Sequence, residues 1–174
     1  WDGTEEPSPL LIKSPVHTGR VKLLLQLFPK AKFIYIHRNP YDVFLSAARM
    51  ADTAYWYSYL NTPTNKEVIE FIVWQYQCLY RNYTRDRSLI SRENLYELSF
   101  NALNGDPMSE IANIYEHFGW KDFVKSGMKD SVARYLSSLQ GYKKSTRSKS
   151  LTPEQKNMIR SMWGDSFETF GYKL

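Results

Sequence analysis

Two cations in this sequence stand where an apolar run breaks and a helix begins. Lys13 closes LLIK (residues 10–13) and is followed by Ser14-Pro15; Arg38 follows KFIYIH (residues 32–37) and is followed by Asn39-Pro40. In an open parallel sheet, ligands bind beyond the carboxyl ends of the strands, where the following helices aim their N-termini. Such a helix end contributes about 0.3 to 1 kcal/mol toward an anion and an ionised side-chain hydrogen bond about 1.5 to 3, so the arginine dominates. Ser46 lies seven residues past Asn39, about two helical turns, hence on the same face as the N-cap. Arg38 and Ser46 can then close on one phosphate or sulfate group. His17 follows Lys13 by four residues, and a neutral imidazole there can accept a proton near pH 7. Each residue also has a plain structural reading: arginines flank strand ends, serines fill helix contacts, and a histidine near a helix start is often a satisfied surface or core group. What favours an anion site is the pattern of cation, N-cap and helix occurring twice in one unit.

The elements that must position these groups follow from local signals. LLIK reads as a short buried strand, Ser14-Pro15 as the start of a helix running to Phe28, and KFIYIH as a second strand, together a βαβ unit with parallel strands. Asn39 is an N-cap with Pro40 at the first helical position and Asp42 three residues on. Apolar residues at three-and-four spacing predict a helix from Asn65 to about Tyr83, and residues 95 to 100 a third strand. Helices are expected over 108–118, stopped by Gly119, over 122–140, and from the capping box Thr152-Pro153-Glu154-Gln155 to about Trp163. The fold class is α/β, a parallel sheet flanked by helices in a single domain over residues 1–174.

Composition bounds the alternatives. At 174 residues with 43% apolar and 16% aromatic content, the chain can bury roughly 70% of its unfolded surface, as one globular domain does. No run of about 18 apolar residues is present, so no transmembrane segment is expected in this chain, and WDGTEEPSP lacks the pattern of a signal peptide. The single cysteine, Cys78, excludes an internal disulfide and a cysteine-cluster metal site. The net charge of +5 is uneven: no carboxylate falls between Glu6 and Asp42, and GYKKSTRSKSL (141–151) carries Lys143, Lys144, Arg147 and Lys149. These cations gather at strand ends and one loop, not in a stripe with stacking aromatics, which speaks against nucleic acid. Asn82-Tyr83-Thr84 is a formal glycosylation triplet inside a helical pattern, and AYWYSYL (54–60) could wall an aromatic pocket with Trp56 and Tyr57.

The stretch LLIKSPVHTGRVKLLLQLFPKAKFIYIHRNPYDVFLS resembles the central segment of the sulfotransferases, enzymes that move a sulfonyl group from 3′-phosphoadenosine-5′-phosphosulfate to a hydroxyl or amine. LYELSFNALNGDPMSEIANIYEHFGW is similar to the family's strand, acidic-proline turn and helix, and KKSTRSKSLTPEQKNMIRSMWGDSFETFGY to its basic donor-binding loop and C-terminal helix. The resemblance implies a P-loop NTPase-like sulfotransferase fold. In it Arg38 and Ser46 hold the 3′-phosphate of the donor, and Lys13 supports the sulfonyl group or its bridging oxygen. Lys143, Lys144 and Arg147 lie in the donor-binding loop, and no metal is implied. His17 is the candidate base, although the cytosolic branch places its histidine two residues after the lysine, not four. The family's glycine-rich loop has no counterpart, so the chain is expected to be N-terminally incomplete, without the first strand and loop, and to bind adenosine 3′,5′-bisphosphate without transferring a sulfonyl group alone. Where many members carry tyrosine-glutamate after the third strand, Phe100-Asn101 stands here. An exposed LLIK edge would invite self-association into a homo-oligomer.

Two rival readings remain at this level. A phosphotransferase of the P-loop class lacks support, since no Gly-x-x-x-x-Gly-Lys motif or paired magnesium-binding acids occur. A non-catalytic module that binds a nucleotide or polyanion through Arg38 and the 143–149 loop stays open. The acceptor, whether small molecule, carbohydrate or protein hydroxyl, does not follow from the residues.

Overall fold

The computed structural model describes residues 10–55, 57, 59–120, 122–139 and 150–174. Among them, two five-residue strands pair in parallel: β1 (Phe33–His37) with β2 (Leu95–Ser99), in register from Phe33 opposite Leu95 to His37 opposite Ser99. A parallel pair needs a long crossover. Here it runs through α2 (Pro40–Thr53) and α3 (Asn65–Asp86), and the short α1 (Val21–Leu27) precedes β1. After β2 come α4 (Phe100–Gly105), α5 (Pro107–His117), α6 (Met128–Ser138) and α7 (Pro153–Thr169).

The Asn39 and Thr152 caps are where the sequence puts them, whereas Ser14 makes no side-chain cap hydrogen bond and the Thr64 cap is not among those expected. The Asn39 side chain accepts from Tyr41 N at 2.9 Å and Pro40 opens α2. Reciprocal capping boxes, Thr64 with Glu67 and Thr152 with Gln155, start α3 and α7. Both helices outrun their expected ends. In α7 the backbone does break locally at Trp163 (φ −123°, ψ 15°), but Ser166 and Phe167 are fully buried and the helix resumes to reach them.

Three expectations are corrected. LLIK forms no strand: Leu10, Leu11 and Ile12 are 82%, 83% and 53% exposed, because apolarity supplies no ladder and none of the described residues pairs with this segment. The partner of β1 is β2, not LLIK. The helix expected over 14–28 is two pieces, a 3₁₀ turn at Pro15–Gly19 and then α1, with the break where the chain presses on α3; a Cβ on Gly19 would lie 3.3 Å from Leu79 Cδ2. The helix expected over 122–140 begins only at Met128, because the Asp122 carboxylate captures the N–H groups of Val124 and Lys125 in a turn first.

Three apolar clusters hold this frame. Phe44 of α2, Ile72 and Val73 of α3, and Ile159, Trp163 and Phe167 of α7 form the largest. Val21, Tyr83 and Ile90 pack with Phe33, Tyr35 and Phe170 on one face of the sheet, and Leu98, Ile114 and Phe118 cover β2 on the other. On that second face Ile34 and Ile36 of β1 stay 37% and 47% exposed.

Candidate functional site

Arg38 sits between the end of β1 and the N-cap of α2, the place the sequence assigns it. Its guanidinium is held on two sides. Nε lies 3.5 Å from Asp42 Oδ2, close enough for an ion pair, yet it is buried and makes no hydrogen bond, so the contact is electrostatic and not directional. The guanidinium carbon stands 4.6 Å from the centroid of the Phe100 ring, at the start of α4. With one face on an aromatic ring and a third of the side chain exposed (36%), the fork keeps donors for an incoming acceptor.

Ser46 is half-buried in the second turn of α2. Seven residues at about 100° each bring it within roughly 20° of the azimuth of Asn39 and about 10 Å along the axis. Asp42 and Ser46 thus follow one another at a spacing of four along one helix face, with Arg38 four residues ahead of Asp42 and just outside the helix, which puts a carboxylate between the two anion-binding candidates in the chain. Asp42 neutralises Arg38 while no anion is present, and an anion there must compete with it. Sequence reasoning took Asp42 for a capping acid only; its spacing of four from Arg38 was the signal.

Lys13 is exposed and lies in extended chain ahead of the 3₁₀ turn. A five-residue turn has little dipole to offer, so the helix-end contribution expected beside Lys13 is absent and only its own charge remains. His17, inside that turn, is half-buried, and its Nδ1 is buried without a hydrogen-bond partner. No hydrogen bond or ion pair among the described residues links Lys13 or His17 to Arg38 or Ser46. Lys143, Lys144, Arg147 and Trp56 lie outside the described residues; Tyr57 is 72% exposed. Asn82 is half-buried, and its side-chain amide donates to Cys78 O within α3. Among the described residues no group of three or more histidine, cysteine or acidic side chains could hold a metal ion. A cleft of about 380 Å³ between α4, α5 and α6 is lined by Leu103, Ile111, Val132 and Tyr135 and not by Arg38 or Ser46.

The other side of the strand end is closed by aromatic groups. His37, the last residue of β1, stacks on Phe170 (4.5 Å between ring centres, 11° between planes) and has Nδ1 2.7 Å from the Tyr172 hydroxyl. Burial pushes the imidazole below its ordinary value, with Glu97 opposing. Glu97 itself accepts from Tyr83 Oη at 2.5 Å and pairs with Arg87 at 3.0 Å, and the shared burial and carboxylate raise the Tyr83 phenol far above the usual range. The Glu97 ties fasten β2 to the end of α3 behind the site.

The sequence model of the sulfotransferase family matches residues 2–123. The chain belongs to the sulfotransferases. Two curated members are each 34% identical over 163 residues, 94% of this chain and 41% of their own length. Both are the omega-hydroxy-beta-dihydromenaquinone-9 sulfotransferase Stf3, from Mycobacterium bovis and Mycobacterium tuberculosis. The chain therefore spans about two fifths of the length of the curated relatives it matches. The crystal structure of sulfotransferase STF9 from Mycobacterium avium superposes with a TM-score of 0.73 at 18% identity, over 94% of this chain and 42% of that one, so the α/β fold is a sulfotransferase fold.

Proposed function

We propose that residues 1–174 form a single sulfotransferase-like domain carrying the nucleotide-anion part of a sulfonyl-transfer site. In this reading Arg38 and Ser46 bind the 3′-phosphate of 3′-phosphoadenosine-5′-phosphosulfate. The observation that carries it is the Arg38 guanidinium, lodged on Phe100 at the N-terminus of a 14-residue helix, with an Nε that no hydrogen bond satisfies. Lys143, Lys144 and Arg147, on the strength of the family likeness, add charge to the same nucleotide. When bound, the donor supplies an activated sulfonyl group.

The remaining chemistry belongs to this chain's residues. The Lys13 ammonium offsets charge that builds on the bridging oxygen as the bond to sulfur breaks, a role suited to an exposed, compact cation. His17 takes the proton of the acceptor hydroxyl as its oxygen attacks; an Nδ1 with no hydrogen bond of its own supports that assignment. The products are the sulfated acceptor and adenosine 3′,5′-bisphosphate. Likeness to proteins named for a hydroxylated dihydromenaquinone favours a hydroxyl on a lipid-like molecule over an amine, a sugar or a protein side chain.

The test is transfer from labelled donor by the full-length protein, compared with its Lys13→Ala and His17→Ala variants. Loss of one preorganised charge donor lowers turnover on the order of 100- to 1000-fold with donor affinity little changed. Binding of the bisphosphate without any transfer by the unaltered protein would make this a nucleotide-binding module and overturn the enzymatic reading. Full turnover and an unchanged pH profile in His17→Ala would move the base elsewhere.

A further inference from the structure

Helix α7 ends in a Schellman motif. Gly171 adopts φ +69°, a left-handed value that favours glycine; its N–H donates to Glu168 O at 3.2 Å, and the Tyr172 N–H donates to Phe167 O at 2.8 Å. A Cβ on Gly171 would meet nothing within 4 Å, so backbone conformation and not space demands glycine there. The turn throws both flanking aromatic rings back onto the end of β1. Phe170 stacks on His37, while Tyr172 meets the same imidazole edge-on (5.5 Å, 68°) and places its hydroxyl 2.7 Å from Nδ1, 135 residues away in sequence.

His37 immediately precedes Arg38, so whatever fixes this imidazole fixes the stem of the arginine. Burial raises the Tyr172 phenol first, the charge of Asp42 raises it further, and Arg38 lowers it. At its other end α7 starts four residues after Lys149, the last cation of the basic run in the sequence. A further tie, Arg160 Nε to Tyr41 Oη at 2.6 Å, moors the same helix to the first turn of α2.

We propose that Tyr172, clipped to His37, is a positioning residue for Arg38, holding the strand end from which the arginine springs. The proposal rests on the reading of Arg38 as a phosphate-binding residue. Tyr172 touches no ligand; it acts through Arg38. A guanidinium must present its donors within a few tenths of an ångström to hold a phosphate well, and a strand end released from its clip spreads that geometry.

The experiment is calorimetric titration of the full chain with adenosine 3′,5′-bisphosphate, using Tyr172→Phe, Arg38→Ala and the double variant. Tyr172→Phe keeps the ring and loses the hydroxyl; it should weaken binding about 5-fold, the worth of one neutral hydrogen bond. In the Arg38→Ala background the same change should have no effect, which a purely structural role would not produce. His37→Phe keeps the stack on Phe170 and removes the ring nitrogen that Tyr172 bonds, so it should reproduce the loss and serves where Tyr172→Phe does not fold. Equal affinity for Tyr172→Phe and the unaltered chain, or the same fold-loss in both backgrounds, overturns the positioning role alone. Failure of Arg38→Ala to weaken binding overturns the phosphate site and the proposal with it.

Discussion

Replacing Arg38 tests the site at its strongest contact. Arg38→Ala removes a charged hydrogen-bond donor worth about 1.5 to 3 kcal/mol, and partial exposure places this one near the middle of that range. It also strips the counter-ion from Asp42, whose carboxylate then repels a bound phosphate. The N-terminus of α2 survives the change and keeps its 0.3 to 1 kcal/mol. The net loss is about 2 to 3 kcal/mol, or roughly 30- to 150-fold in affinity for adenosine 3′,5′-bisphosphate. Arg38→Lys separates charge from shape. A lysine keeps the charge but forfeits both the planar fork and the stack on Phe100, so its binding should fall between the two, about 5- to 10-fold below the unaltered chain. Isothermal calorimetry at fixed ionic strength reads both variants. Equal affinity for all three proteins would remove Arg38 from any anion site, and a lysine variant as weak as the alanine one would show that the fork, not the charge, does the binding.

Three further outcomes are expected. Phe100→Ala should weaken bisphosphate binding about 5-fold by withdrawing the ring beneath the guanidinium, a contact worth about 1 kcal/mol, whereas Phe100→Tyr should be near neutral; the same titration distinguishes them. Because burial depresses His37 below 6.5, the unfolded chain binds the extra proton first as pH falls. The contribution of His37 to stability is therefore present above about pH 6.5 and lost below it, and thermal midpoints measured against pH should drop through that window less steeply in His37→Asn. Phe167→Ala, at a position with no exposed surface in the α2–α3–α7 core, should lower unfolding free energy by about 3 to 5 kcal/mol in a denaturant titration.

What could be read in the sequence was decided within a few residues of chain. Asn39-Pro40 and Thr152 to Gln155 cap their helices because a side-chain oxygen needs only a donor two or three positions on, and those pairs are visible as letters. FIYIH is a strand for the same local reason, and Arg38 at its end with Ser46 two turns later needed only helix geometry to be placed on one face. LLIK shows the limit. Its apolarity resembles that of FIYIH, but a strand exists only where another backbone accepts its ladder, and the described chain supplies that partner to β1 from β2 and not to residues 10–13. By sequence Phe100 is only a departure from the family's tyrosine, yet it is the plate on which Arg38 rests, because the two strands are in register and bring their ends together. Tyr172 meets His37 across 135 residues only because Phe167 is drawn into the core, the helix runs past its local break at Trp163 to follow it, and Gly171 then turns the chain back. Such contacts depend on where whole elements come to rest, and no spacing of letters encodes that distance.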